Sequence, residues 1–282
     1  MQITAIIENT AISEKKLAAE SGLSLFIEKD GKKILFDTGL SPKMIENAKE
    51  LNIPLENIDF CVISHGHFDH VGCLEEFMKI NTKAKIYMRK GVDGNYFAKI
   101  GPFKKFIGVP HHIFEQFKDR IEFIDEKFQP IPGVYLITEI NRTRPLAKGN
   151  FKLRQMTNTG LVQDEFKHEL AMCLMGENKK AVVITGCSHN GVLNMVDSVK
   201  KNLPDITITN VLGGFHLMTI PFLKNNMAGT PEEVQAIARE LQTYNMEKIY
   251  TMHCTGMKAY GILKSVLGDS IEYFHGGSKI QI

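Results

Sequence analysis

Apolar and polar positions along this chain switch between a two-residue and a helical period, and the switches mark its elements. Apolar runs at 2–7, 23–28 and 33–36 read as strands. Asp30-Gly31-Lys32 between the last two is a hairpin turn signal. Residues 42–50 have helical spacing, with Ser41 placed to cap and Pro42 at the first helical position. The run 58–63 predicts a buried strand. The nine residues from His70 predict a helix with Asp69 at or near its N-cap, and 84–88 a further strand. Strands are expected again at 170–175, 180–185, 206–212, 248–252, 271–274 and 279–282, with helices at 191–201, 231–244 and 255–267. Thr230 and the acidic pair Glu232-Glu233 start the second of these helices. The pattern weakens from about 89 to 165, a stretch rich in Phe, Lys, Pro and Gly. It reads as rim and loops or a small inserted subdomain over a substrate site. Both halves run strand, motif, helix, with ligand-type residues at strand ends. The expectation is one α/β domain over 1–282, an αββα sandwich of four layers made from two similar halves.

Composition narrows the class. Lys and Arg number 34 against 32 Asp and Glu, a net charge of +2, and the lysine pairs are scattered; no basic stripe marks a nucleic-acid protein. No apolar run is long enough for a membrane span, and Met-Gln-Ile-Thr-Ala-Ile-Ile reads as a first strand rather than a leader. Five cysteines, an odd number with no CxxC pair, suggest reduced thiols and a cytoplasmic location.

The densest chemistry is Ser64-His65-Gly66-His67-Phe68-Asp69-His70, directly after the apolar run Phe60-Cys61-Val62-Ile63. A strand that ends in imidazoles and a carboxylate places them where α/β proteins build active sites. This donor set suits zinc, with iron and manganese as the other options. Alternation puts His65 and His67 on one side, where they share an ion, and Gly66 adds no bulk and permits unusual backbone angles. Asp69 and His70 follow at an offset suited to a second ion, in two-metal enzymes about 3.5–4 Å away. Three further histidines, His189, His216 and His253, sit where predicted strands end, the first and last beside Cys187 and Cys254.

The motif HxHxDH at 65–70, His189, His253 and the early Phe36-Asp37-Thr38-Gly39 together resemble the metallo-β-lactamase superfamily. More narrowly, Gly22-Leu23-Ser24, Gly186-Cys187-Ser188-His189, Gly213-Gly214-Phe215-His216-Leu217 and His253-Cys254-Thr255-Gly256 resemble its dihydropteroate-synthase-like branch. That branch is named after an archaeal enzyme joining a pterin methyl pyrophosphate to a ribofuranosyl-aminobenzene phosphate. The resemblance implies that His65, His67 and His189 hold one metal ion and Asp69, His70 and His253 a second. Asp69 and Asp37 become the carboxylates of the catalytic apparatus, Asp37 by orienting the loop 65–70.

One departure stands out. Dinuclear members of the superfamily carry a bridging Asp after the strand between the third and last ligand histidines; here that strand leads to Gly-Gly-Phe-His. His216 is either a terminal ligand in its place or a substrate contact. Ser188, Thr255 and Gly256, near helix starts, are candidate contacts for an anion. Asn9, Glu169 and His168 are candidates to line the site mouth, Asp164 and Glu169 lie in an acidic stretch that resembles the narrower branch, and Cys187 and Cys254 are soft ligands, redox-sensitive groups or small core residues. Two enzymatic readings share these ligands: hydrolysis of a phosphate- or pyrophosphate-bearing small molecule, and transfer of a pterin methyl group to an arylamine. A non-catalytic metal-binding or redox-sensing module is the alternative of another class. Oxygen or nitric oxide reduction at a di-iron site calls for acidic ligands and a flavin domain, and neither is evident. The expected partner is a small anionic substrate, with no nucleic acid or membrane; nothing bears on oligomeric state.

Overall fold

The computed structural model describes residues 1–219 and 227–282. Along the chain the strands are β1 (Gln2–Ile7), β2 (Ser24–Lys29), β3 (Lys32–Phe36), β4 (Phe60–Ile63), β5 (Lys85–Arg89), β6 (Tyr96–Ile100), β7 (Phe103–Phe106), β8 (Ile121–Ile124) and β9 (Phe128–Ile131). They continue as β10 (Val134–Ile137), β11 (Leu153–Thr157), β12 (Gly160–Gln163), β13 (Ala171–Met175), β14 (Lys180–Thr185), β15 (Thr207–Gly213), β16 (Lys248–Thr251), β17 (Ile271–Tyr273) and β18 (Lys279–Gln281). The helices are α1 (Lys43–Glu50), α2 (Phe68–Val71), α3 (Leu74–Ile80), α4 (His111–Gln116), α5 (Val192–Asn202), α6 (Pro231–Thr243) and α7 (Met257–Leu267).

The chain divides into two compact units. The first comprises Met1–Asp125, Lys152–His168 and His275–Ile282. Its seven-stranded sheet has the order β18-β1-β2-β3-β4-β5-β8, antiparallel from β18 to β3 and parallel from β3 to β8. The hairpin between β2 and β3 turns through Asp30 and Gly31, both at positive φ, as a two-residue hairpin turn requires. Every residue of β4 is buried, so a parallel strand covered on both faces reads as an unbroken apolar run. Met44 and Ala48 of α1 and Phe77 of α3 join Leu35, Cys61 and Ile86 in one core. A four-stranded antiparallel sheet, β12-β11-β6-β7, completes this unit.

The second unit comprises Glu126–Phe151 and Glu169–Phe274. Its sheet, β17-β16-β15-β14-β13-β10-β9, repeats the same plan: antiparallel from β9 to β14, then parallel from β14 to β17. Val196 and Val199 of α5, Val234 of α6 and Leu263 of α7 pack on Val183, Val211 and Ile249. Thr230 and Glu233 form the expected capping box on α6. No helix among the described residues is long and apolar enough to cross a membrane.

Four expectations are corrected by packing. The helix after His70 is two pieces: α2 is capped at His67, so Asp69 lies inside its first turn rather than at its cap, and α3 starts afresh after Cys73. The break falls at Gly72, where a Cβ would lie 2.1 Å from the Leu40 carbonyl oxygen. At α1 the cap position is Pro42, and the Ser41 hydroxyl instead donates to Glu20 Oε2 at 2.5 Å. The last helix begins at Met257, after a tight turn at His253–Thr255. The stretch 89–165 is no single insertion: it supplies β6, β7, β8, β11 and β12 to one unit and β9 and β10 to the other. Its signal was weak because its strands are short and half solvated; all four residues of β7 are exposed.

Candidate metal centre

In the first unit, three buried imidazoles crowd the end of β4: the ring centroids of His65 and His67 are 4.7 Å apart, those of His65 and His70 4.1 Å. The neighbouring strand β3 supplies their anchor. Asp37 follows it at φ +59°, a left-handed conformation that costs a non-glycine residue about 1 kcal/mol or more. Its Oδ1 accepts the Ser64 N–H at 2.7 Å; its Oδ2 accepts the Ser64 hydroxyl at 2.7 Å and lies 2.7 Å from His70 Nδ1. A carboxylate only accepts, so the His70 proton sits on Nδ1 and Nε2 is left with a lone pair for a metal. The Ser64 hydroxyl, having donated to Asp37, accepts from His65 Nδ1 at 2.9 Å and sets that ring the same way. Asp37 therefore orients His70 directly and His65 through Ser64. Asp69 is partly exposed, with Oδ2 3.9 Å from His70 Nε2. Leu23 N–H donates to the Asp69 carbonyl at 3.1 Å and Thr38 N–H to that of His70 at 2.7 Å, so two motifs brace the loop.

Gly66 is needed for space rather than for an unusual φ: a Cβ there would meet the Val92 carbonyl oxygen at 2.8 Å. Its N–H donates to His168 Nδ1 at 3.1 Å, and His168 Nε2 donates to Asp164 Oδ2 at 3.2 Å. The same Asp164 oxygen is 3.6 Å from His67 Nε2, and Tyr96 lies over the His168 ring with centroids 4.0 Å apart. Burial opposes the Asp164 charge, but His168 and His67 outweigh it and hold its carboxyl below the usual range. His67, Asp164 and His168 have donor atoms within 4.8 Å of one another.

In the second unit the candidates come from three strand ends. His189 follows β14, His216 follows β15 and His253 follows β16. Ser188, His216 and His253 have φ of +56°, +47° and +52°, so the chain turns sharply at each strand end. Asn150 holds His189, its Oδ1 2.8 Å from Nδ1 and its Nδ2 donating to the His189 carbonyl at 2.8 Å. Buried Glu169 accepts the N–H groups of His189 and Asn190, each at 2.8 Å; burial pushes its carboxyl up, and these donors oppose the rise. His216 lies against His189 with ring centroids 4.1 Å apart, and neither of its ring nitrogens, both shielded from solvent, has a hydrogen-bond partner among the described residues. Gly149 leaves room for that ring, since a Cβ would lie 2.6 Å from His216 Cδ2.

The two hydroxyls that sequence reasoning offered to substrate have partners inside this unit. Ser188 Oγ donates to Thr185 Oγ1 at 2.9 Å, and Thr255 Oγ1 accepts the Phe215 N–H at 2.9 Å and pairs with Thr251 Oγ1 at 2.6 Å. Gly256, at φ +72°, lies against Met218. Asp197 is in α5, and Asp205 precedes β15. Sequence reasoning missed Asn150 and Tyr96, and it set His168, Asp164 and Glu169 aside as unranked. Asn150 stands alone in an irregular segment and carries no motif that would have drawn attention to it.

Residues 18–136 match the family model of the metallo-β-lactamase superfamily. It is 28% identical, over 100% of its own length and 96% of the relative's, to a 7,8-dihydropterin-6-methyl-4-(β-D-ribofuranosyl)-aminobenzene-5'-phosphate synthase of Methanocaldococcus jannaschii. It is also 28% identical, over 99% and 100% of the two chains, to an uncharacterised protein of that organism. A crystal structure of a metal-dependent hydrolase of the β-lactamase superfamily superposes with a TM-score of 0.82 at 24% identity, covering 100% of this chain and 99% of that one, which shows the shared α/β fold.

The superfamily implies divalent metal, and the residues present fit it. The donor atoms of Cys187, His189 and His216 lie within 4.8 Å of one another, as do those of Cys187, His253 and Cys254. Shielded imidazole nitrogens without protein partners, as at His216, are what a ligand position requires.

Proposed function

We propose that this chain is a metal-dependent enzyme acting on a small phosphate- or pyrophosphate-bearing molecule, by hydrolysis or group transfer. The observation that carries this reading is the Asp37 anchor, which presents His70 Nε2 at the end of β4 inside the HxHxDH motif. Following the superfamily's ligand pattern, His65, His67, Asp69 and His70 are the metal ligands of the first unit and His189 and His253 those of the second. Zinc is the expected metal, since imidazole, carboxylate and thiol donors suit it. Bound dications supply Lewis acidity toward phosphoryl oxygens and toward water. Asp37 keeps a proton on His70 Nδ1 and Asn150 one on His189 Nδ1, so neither ring rotates when charge builds at the reacting group. Burial of His65, His67 and His70 keeps competing water from these donors.

The full-length likeness to the pterin-related synthase favours transfer over hydrolysis as the specific reaction. In that reading the acceptor is an aromatic amine and the leaving group a pyrophosphate; in the hydrolytic reading the acceptor is water. The test is turnover of a dihydropterin methyl pyrophosphate by zinc-loaded protein, with and without an aniline-type acceptor, beside a panel of phosphomonoesters and phosphodiesters. Product formed only with the amine identifies the transferase, and amine-independent turnover the hydrolase. Protein that purifies without metal and takes up none would overturn the whole reading.

A further inference from the structure

We propose that Cys187 is a metal ligand shared by the two donor sets of the second unit, in place of the bridging carboxylate that this chain lacks. The proposal rests on the metal-dependent reading above and names a ligand and a metal class within it. Cys187 belongs to both groups: its sulfur lies within 4.8 Å of donor atoms of His189 and His216, and likewise of His253 and Cys254. It is buried, two residues after β14, in the loop that delivers His189. The strand where the superfamily places its bridging Asp is β15, and it ends in Gly213 and Gly214 instead. Those glycines do steric work: a Cβ on Gly213 would lie 2.3 Å from the Thr185 carbonyl oxygen, and one on Gly214 2.5 Å from Cys254 Sγ. These close approaches leave no room for a side chain on Gly213 or Gly214 at the end of β15.

Cys254 belongs to only the second of the two groups named above. Its sulfur accepts the His216 N–H at 3.3 Å and donates to the Cys187 carbonyl at 3.5 Å, so it is engaged with backbone on two sides. On binding, the Cys187 S–H proton is released to solvent and the sulfur donates as thiolate. One thiolate common to the two sets would supply the negative charge that a bridging carboxylate supplies elsewhere. It also selects a thiophilic dication, zinc, ferrous iron or cobalt, over magnesium or manganese.

Cobalt(II) loading of the full chain tests this. The wild type should show an intense near-ultraviolet thiolate-to-cobalt charge-transfer band. Cys187→Ser should lose the band and bind cobalt at least about tenfold more weakly, while Cys254→Ser should keep the band. A band that survives in Cys187→Ser, or that is lost in Cys254→Ser and kept in Cys187→Ser, overturns the proposal. If Cys187→Ser does not fold, X-ray absorption on the zinc-loaded wild type and Cys254→Ser proteins decides: a sulfur neighbour at about 2.3 Å in both supports it, and a shell of nitrogen and oxygen alone in either overturns it. Cobalt bound without a thiolate band defeats this assignment and leaves the proposed function intact. Failure to bind any metal defeats the proposed function itself.

Discussion

The two units share a sheet plan and hold their histidines by different means. In the first, three imidazoles come from one short loop, and anionic carboxylates, Asp37 and Asp164, face His70 and His67. In the second, the three come from separate strand ends, a neutral amide, Asn150, faces the His189 ring while the Glu169 carboxylate accepts its backbone N–H, and the thiols of Cys187 and Cys254 lie beside them. The backbone differs accordingly. Beside the first cluster two non-glycine residues, Asp37 and Phe166, are left-handed; around the second, Ser188, His216 and His253 are. A compact motif lets one anchor orient several rings, whereas dispersed ligands each need a strained turn. Such turns persist only where surrounding structure over-determines them.

The largest expected effect tests the rigidity of each frame. Gly72→Ala drives a Cβ into a backbone oxygen at 2.1 Å and should cost about 3 kcal/mol. Gly214→Ala meets the end of a cysteine side chain at 2.5 Å and should cost less; urea unfolding midpoints of the two variants give the ranking. Next comes the anchor contrast. Asp37→Ala should weaken zinc binding by about 100-fold, and Asn150→Ala by about tenfold, because an anionic partner raises ligand basicity more than a neutral one. Competition titrations with a chromogenic chelator measure both, and equal losses would erase the distinction between the units.

A pH test applies to both units alike. Burial pushes the Cys73 thiol in the first and the Cys173 thiol in the second up to about 12, from an ordinary value of 9.0. The folded state keeps these protons while the unfolded chain begins to release them near 9.0. Their contribution is thus intact below that pH and is lost as pH rises toward about 12. Urea midpoints should fall over this range, and Cys73→Ala and Cys173→Ala should each flatten the fall by a similar amount. The smallest effect is local: Thr230→Ala removes one half of the α6 capping box and should cost about 1 kcal/mol without changing metal content.

Much of this was legible in the residues themselves. Strand runs, the Asp30-Gly31 turn, the Thr230 cap and the His65–His70 cluster are signals carried within a few neighbouring residues, and physics acting at that range is the same in any fold. The resemblance to the metallo-β-lactamase superfamily rests on the cluster together with Asp37, His189 and His253. What tertiary structure alone decided lies at long range. Gly66 meets His168 across 102 residues, His70 meets Asp37 across 33 and His189 meets Asn150 across 39. No periodicity encodes such pairs. The same holds for the break in the helix after His70, set by the Leu40 carbonyl, and for Cys187, whose place in two donor sets depends on how closely β14, β15 and β16 end beside one another. The sequence by itself determined which donor types this protein has; packing determined which ring nitrogen each neighbour engages, because only a folded neighbour such as Asp37 or Asn150 can hold a proton on one nitrogen of a ring.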